Sequence, residues 1–329
     1  MSGKKMIKDT RFYLFLFLVL LLTAFQIGNS NFLSVKNIFE LLKSNAYMGI
    51  MSLGMLIVII SGGIDISICP MAASAEYLMA WLLSERPDMN PLLVMALPIL
   101  LALCMGLLNG TLIYMLKVPP MIVTISTMNI YYGILQLLSK GNSIFIFPKW
   151  FKVLGSAKIF HFTDANGFAG GLSVLTMVWL VLIFITFFIL QRTRTGRQIY
   201  AIGGNQQAAV RTGVNLRNNY LFIYGFCGFL CGIAGIMHGL SAQYVAPSVI
   251  YGQEMLVIAA ISLGGANLLG GFGTVSGTIM GLAVIRCITS GLTLSKVSTY
   301  WQDAILGVVI LASIIVGALK AVIHRRKVP

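Results

Sequence analysis

The sequence predicts an all-α membrane protein, a polytopic bundle of about ten transmembrane helices with broken or re-entrant segments. Three observations predict it. Hydrophobic residues make up 58% of the 329 and charged residues only 10%, where a soluble globular domain is about a quarter charged. Apolar windows of membrane length recur from one end of the chain to the other, and Lys and Arg concentrate in the connections on one side. No linker, low-complexity tract or soluble insertion interrupts the pattern, so the expectation is one transmembrane domain over 1–329.

The windows, in order, are Phe12 to Ile27, Ala46 to Ile60, Ile66 to Leu83, Pro91 to Tyr114, Met121 to Leu138, Gly171 to Leu190, Tyr220 to Leu240, Met255 to Leu269, Thr274 to Thr289 and Gln302 to Leu319. A helix needs about 20 residues to cross about 30 Å of hydrocarbon. The second, eighth and ninth windows are short enough to be re-entrant or broken, which leaves a range of about eight to ten spans. Basic residues precede the first window, as in a signal peptide, but no small-residue cleavage pattern follows at Gly28 to Phe32, so the window is expected to stay as a membrane anchor. Between the fifth and sixth windows, Ser139 to Gly170 interleaves Phe145, Phe147, Trp150, Phe151, Phe160 and Phe162 with Lys149, Lys152 and Lys158. That pattern suits an interfacial helix in the lipid headgroups, or a surface for an external partner.

With ten spans and the N-terminus inside, the Lys and Arg residues at 4–11, 117, 192–217 and 320–327 all face the cytosol and outnumber those outside. Both termini are then cytosolic. The net charge of +14 is a topology signal and an attraction to anionic membrane lipid; no soluble basic face with interleaved aromatics is present, so no nucleic-acid partner is expected. All five cysteines, Cys69, Cys104, Cys227, Cys231 and Cys287, fall in apolar windows and read as packing residues.

A charge at membrane depth costs a few kcal/mol, so acids inside the windows are functional candidates. Asp65 lies in SGGIDIS, where Gly62 and Gly63 can unwind the helix; irregular backbone at that depth lines a cavity or is buried in protein. Asp65 caps the following helix near Ser67 and Ile68, lines a pathway, or does both. Glu76, two to three turns on, faces a wet pathway or makes a buried structural hydrogen bond. Asn109 sits beside Gly106 and Gly110, a spacing that lets helices approach closely. Glu254 opens an apolar run, where it favours a helix N-terminus or meets solute at a mouth. Arg286 lies near the end of its window and can snorkel. His161, His238 and His324 form no metal-ligand spacing. The glycine run GGANLLGGFGTVSG from Gly264 lacks the Lys-Ser/Thr of a phosphate loop and reads as a tight turn between two windows. SGGID at 61–65 and LGGAN at 263–267 echo each other weakly.

The longest polar stretch is Gly203 to Asn219. Gly203-Gly204 ends one element, Asn205 is a good N-cap, Gln206 to Arg211 makes about two helical turns carrying Ala208 and Ala209, and Gly213 supplies a stop. So short a helix is unstable alone and needs something to pack against.

Three stretches carry a family resemblance: SGGIDIS at 61–67, TGRQIYAIGGNQQAAVRTGV at 195–214, and EMLVIAAISLGGANLLGGFGTVSGT at 254–278, with SGLTLSKVSTYWQDAILGVVIL at 290–311 in support. Together they make the chain resemble the permease subunits of ribose-type sugar ABC importers, within the group that includes branched-chain amino acid permeases. The resemblance implies that the helix around Asn205 is a coupling helix seated in a cleft of a cytosolic ATPase, and it carries over to Gly204, Asn205, Ala208, Ala209 and Gly213, with Gln206 and Arg211 on the same helix. One departure is visible: Leu256 stands where sugar-transporting members often have an acid. The resemblance further implies a second permease copy or related permease, a periplasmic solute-binding protein, a bacterial inner membrane, and no cofactor in this chain, with ATP bound by the partner ATPase. Asp65, Ser67, Glu76, Asn109 and Glu254 are the candidates for lining or supporting the translocation pathway. A secondary transporter or channel for a small polar solute is the competing class; it accommodates Asp65 and Glu76 but gives the helix at 206–211 no role. No constellation of catalytic groups marks an enzyme.

Overall fold

A computed structural model describes residues 10–28, 32–163, 169–309 and 311. The elements in chain order are α1 (Thr10–Gly28), α2 (Val35–Ile60), α3 (Ile68–Glu85), α4 (Pro91–Leu116), α5 (Pro120–Ser139), α6 (Lys149–Ser156), β1 (Lys158–Thr163), β2 (Ala169–Ser173), α7 (Val174–Arg192), α8 (Arg194–Gly204), α9 (Gln206–Arg211), α10 (Leu216–Ala242), α11 (Glu254–Leu263) and α12 (Val275–Leu294). A further helical stretch, α13, covers 299–309.

Six helices, α2, α4, α5, α7, α10 and α12, are long and apolar enough to span a membrane. The count of ten expected from the windows is not reached among the described residues. The second window is not short: its helix runs 26 residues, because Val35 to Asn45 continues it with Lys36, Glu40 and Lys43 that an apolar window leaves out. The ninth window belongs to a helix of 20 residues. The eighth is broken as expected, ending after 10 residues at Gly264. The tenth lies largely outside the described residues.

The centre of the bundle is α2, where every residue from Ala46 to Ile60 is buried. Around it, α10 packs on α2, α3 and α4. The α4–α10 seam follows from glycine spacing. On α4 the buried residues Val94, Pro98, Ala102, Gly106, Asn109, Gly110 and Ile113 form one stripe, while Leu92, Leu100, Leu108 and Met115 point outward. In lipid, apolar side chains gain little by turning inward, so close packing of small residues decides the interface. A methyl group on Gly106 would overlap the Tyr224 carbonyl, and one on Gly228 the Ala102 carbonyl. Cys227 packs similarly over Gly54, with its Cα 3.2 Å from where a Cβ would sit.

The segment between α5 and α7 corrects two expectations. The fold is not purely helical: β1 and β2 form an antiparallel hairpin pairing Phe160 with Leu172 and Thr163 with Ala169. Nor does an interfacial helix fill the segment. Only α6 is helical, and it packs on the bundle with Phe147 and Phe151 stacked 4.9 Å apart and buried with Met79, Leu83, Val94 and Leu240. Phe145 and Phe160 remain exposed. The sequence has the aromatic spacing but not the cavity that receives two of the rings.

A polar helix pair and two buried polar clusters

The polar stretch after α7 is built by two caps. Thr193 accepts the Gly196 N–H through its hydroxyl at 3.0 Å to start α8. Asn205 then ends α8, its N–H donating to the Ala201 carbonyl at 3.0 Å, and starts α9, its side-chain oxygen accepting the Ala208 N–H at 3.0 Å. The helix expected over 206–211 is present, and Gly213 follows with φ of 85°. Of the two alanines, Ala209 is buried against its own chain; Gln206, Ala208, Val210 and Arg211 are exposed. One side chain anchors the helix and the rest of its surface is presented outward.

Three glycine pairs meet behind it. A methyl group on Gly203 would overlap both the Ile60 carbonyl and the Gly271 nitrogen. Gly271 donates its N–H to that Ile60 carbonyl at 2.9 Å, and Gly62, Gly270 and Gly271 have φ of 87°, 92° and 76°. These are left-handed values that glycine adopts without the Cβ penalty. The Tyr200 hydroxyl donates to the Gly273 carbonyl at 2.7 Å; burial raises the pKa of this phenol, which keeps its proton on. A recess of about 410 Å³ lies beside the junction, lined by Arg197, Tyr200 and residues 271–274. The glycine run from Gly264 is the tight turn expected, held by Asn267, which donates through its side chain to the Gly270 carbonyl at 2.8 Å. Of the echoing segments only the first reaches this point, through Gly62; its partner there is Gly270, outside 263–267, while Gly264 packs on Gly277.

Directly above this junction, Asp65, Ser67 and Asn109 form one buried cluster. The Ser67 N–H and hydroxyl both donate to Asp65 Oδ1, at 2.9 and 2.6 Å. The Asn109 amide donates to Ser67 Oγ at 2.8 Å, and Asn109 Oδ1 accepts from the Tyr131 hydroxyl at 3.0 Å. The Tyr131 hydroxyl also reaches the Met105 carbonyl at 3.0 Å and shares its one proton between the two acceptors; beyond it the donors run in one direction, from Asn109 to Ser67 to the carboxylate, which as an acceptor is the natural terminus. Asp65 satisfies the backbone at the start of α3, as its capping role requires, and ties α3 to α4 and α5.

Glu76 lies elsewhere. It is fully buried, and its Oε1 is 2.7 Å from His238 Nδ1 on α10. The Tyr47 ring meets the His238 ring edge-on at 4.7 Å, and the Tyr47 hydroxyl donates to Gln253 Oε1 at 2.7 Å. The Arg286 guanidinium lies 2.8 Å from Met48 Sδ and 3.5 Å from the Tyr47 hydroxyl, both on α2. Glu254, one residue from Gln253, opens α11 beside the Cys69 thiol and is itself buried. Among the described residues, Glu76 Oε2 and Glu254 Oε2 have no hydrogen-bond partner. The pathway candidates therefore divide into Asp65, Ser67 and Asn109 toward the α8–α9 junction, and Glu76 and Glu254 around a second cluster. Tyr131 and His238 were not separable by sequence: a tyrosine and a histidine in apolar windows carry no local sign of a partner tens of residues away.

Residues 37–314 match the family model described as branched-chain amino acid transport system / permease component. Among curated proteins, the chain is 32% identical over 307 residues to the ribose import permease protein RbsC of Bacillus subtilis (strain 168), covering 93% of this chain and 92% of that protein. It is 31% identical over 295 residues to the autoinducer 2 import system permease protein LsrC of Photorhabdus luminescens, 89% and 86% of the two chains. It is 30% identical over 333 residues to the galactose/methyl galactoside import permease protein MglC of Escherichia coli (strain K12), 95% of each. No solved structure matches.

Proposed function

The chain belongs to the family of branched-chain amino acid transport system permease components, and from that premise we propose that it forms the membrane pathway of an ATP-driven importer for a sugar or sugar-like solute. It is a transport subunit and not an enzyme. ATP is bound by a separate cytosolic ATPase; a second permease, identical or related, completes the pathway; a periplasmic binding protein delivers the solute. The chain sits in a bacterial inner membrane with both termini cytosolic. The three relatives named above are import permeases for ribose, autoinducer 2 and galactose or methyl galactoside, which supports a solute of that general kind.

The observation that carries this reading is the backbone contact between Gly203, Ile60 and Gly271. A helix pair welded at carbonyl-to-Cα distance to the ends of two membrane elements passes displacement on as a rigid body, since packed interfaces shift between discrete arrangements and do not yield continuously. Movement of α9 in an ATPase cleft would be felt at Ile60 and Gly62, and three residues on at Asp65. Gly204, Asn205, Gln206, Ala208, Arg211 and Gly213 would touch or shape that contact, with Ala209 as the anchor. Asp65, Ser67 and Asn109 would support the moving wall of the pathway, and Glu76 and Glu254 the part beyond it.

The test is recovery of an ATPase with the chain from mild detergent, wild type against an Asn205→Glu/Ala208→Glu double variant, with ATP hydrolysis assayed on the eluate. An ATPase recovered with wild type and lost with the variant is the expected outcome. The buried Glu76–His238 pair is the one observation favouring a second reading, an ion-coupled transporter with a proton relay. Well-folded wild-type protein that recovers no ATPase, yet transports with an ion gradient, would establish that reading instead.

A further inference from the structure

Arg286 is a cation inside a membrane helix with no acid to meet it. It stands on α12 well before the end at Leu294, and at 1.5 Å per residue the guanidinium's backbone lies about 12 Å below the polar connection Ser295-Lys296. Among the described residues no carboxylate pairs with it, and its Nε is buried without a partner. The contacts it does make, with the Met48 thioether and the Tyr47 hydroxyl and ring, carry no charge. A cation so placed is costly until a counter-charge reaches it.

A cavity of about 270 Å³ between α1, α2, α7 and α12 includes Arg286 in its wall. Most of that wall is aliphatic, with Leu18 and Leu22 from α1, Ile38 and Leu42 from α2, and Ile279 and Leu282 from α12. Trp179 of α7 also lines it; the side chain is 7% exposed, and its indole N–H is buried without a partner. The ring is held against Gly49, where a methyl group would overlap it. Asn45, on the same wall, spends an N–H on the Leu41 carbonyl at 2.7 Å. Two unused donors, one of them cationic, thus share a cavity lined mostly by hydrocarbon. Ile38 is exposed as well as lining, so the cavity opens at the surface beside the start of α2.

We propose that this cavity binds one free long-chain fatty acid, its carboxylate on Arg286 and the Trp179 N–H and its chain along the aliphatic wall. Guanidinium and indole only donate, and an ionised carboxylate only accepts, so the three match without a group left over. The pairing with arginine is charge-assisted, the stronger kind of hydrogen bond. Apolar pockets with a few placed polar groups are the usual form of a small-molecule site. The volume is about nine times the ~30 Å³ that one water occupies in the liquid, space for one alkyl chain and not for two. A phospholipid would also have to draw its headgroup about 12 Å below the interface to reach Arg286. A single-chain acid has neither constraint. Bound there, it would bridge α1 to α2, whose other end carries the Ile60 contact with Gly203. The site does not depend on what the chain transports.

The experiment measures radiolabelled palmitate binding to the full-length chain in phosphatidylcholine nanodiscs. Saturable binding of about one palmitate per chain is expected, weakened at least about tenfold by Arg286→Gln. Ala283→Phe, on the cavity wall, should abolish it by filling the space with Arg286 still present. Melting temperatures establish that each variant is folded, and the Ala283→Phe result stands whether or not Arg286→Gln folds. Methyl palmitate, the same chain without the charge, and phosphatidylglycerol, an anion with two chains, should compete poorly. Equal competition by methyl palmitate overturns the role of Arg286, and equal competition by phosphatidylglycerol overturns the assignment to a free acid. Binding that does not saturate, or that survives Ala283→Phe unchanged, overturns the site. So does the absence of binding, whether another part of the chain or a second copy then fills the cavity.

Discussion

Gly203 abuts Ile60 so closely that a methyl group on the glycine would overlap the Ile60 carbonyl oxygen, and that same carbonyl accepts the Gly271 N–H at 2.9 Å. The contact joins the polar helix pair to the buried end of α2, where every residue from Ala46 to Ile60 is buried. It also gives the proposed coupling a physical route that ends at Ile60, five residues before Asp65.

Gly203→Ala should therefore separate hydrolysis from transport. Overpacking of this kind costs about 1–3 kcal/mol, and the displaced junction should lower transport about tenfold, equivalent to about 1.4 kcal/mol in barrier, while the assembled complex still hydrolyses ATP. Thermal unfolding in detergent provides the comparison with Gly204→Ala, where nothing lies within 4 Å of the added methyl and the stability change should stay within about 0.5 kcal/mol. Equal losses in the two variants would remove the junction from the mechanism.

Asn205→Ala removes the side-chain acceptor of the Ala208 N–H. Loss of an N-cap costs about 1 kcal/mol. If the ATPase binds α9 only as a formed helix, affinity should fall about fivefold for each kcal/mol. Asn205→Asp keeps an acceptor and should restore most of it, as titration of purified ATPase onto the immobilised permease would read.

Asn109→Ala would leave Asp65 Oδ2 without the amide 3.5 Å away, while Ser67 still donates to Asp65 Oδ1 and the Tyr131 hydroxyl to the Met105 carbonyl. An unsatisfied buried group costs about 1–3 kcal/mol, so this variant should melt well below Tyr131→Phe, which removes one hydroxyl and leaves Asn109 bonded to Ser67. The reverse order would mean that water fills the cluster.

His238→Ala strips the partner from Glu76 and should cost about 3–5 kcal/mol if the carboxylate stays buried and charged. Glu76→Gln in the same background removes that charge and should recover part of the loss, and a double-mutant cycle on melting temperatures isolates the coupling. Additive effects would show that the two groups do not interact, against the 2.7 Å contact.

Much of this architecture was legible locally. Asn205 and Gly213 bracket α9 because capping is a property of a few adjacent residues, and Gly264-Gly265 breaks α11 for the same reason. Where the expectations failed, the missing information was distant. The helix through Val35 to Asn45 carries charges that an apolar window rejects, yet the N-cap Ser34, accepting the Asn37 N–H at 3.3 Å, and continuity with a buried core keep it helical. Phe147 and Phe151 read as membrane anchors until the cavity over Met79 and Leu240 is known.

The sequence by itself determined the solvent in which this chain folds, the short polar helix over 206–211 and the family to which it belongs, because composition, caps and contiguous motifs act over a few residues. Only the tertiary structure decided that Asp65 ends a donor chain from Tyr131, that Glu76 faces His238 and that three glycine pairs share one point. Those contacts reach from 22 positions apart, Tyr131 to Asn109, to 208 apart, Gly62 to Gly270, and in a bundle packed backbone to backbone the pairing of side chains is set by which small residues let which helices touch.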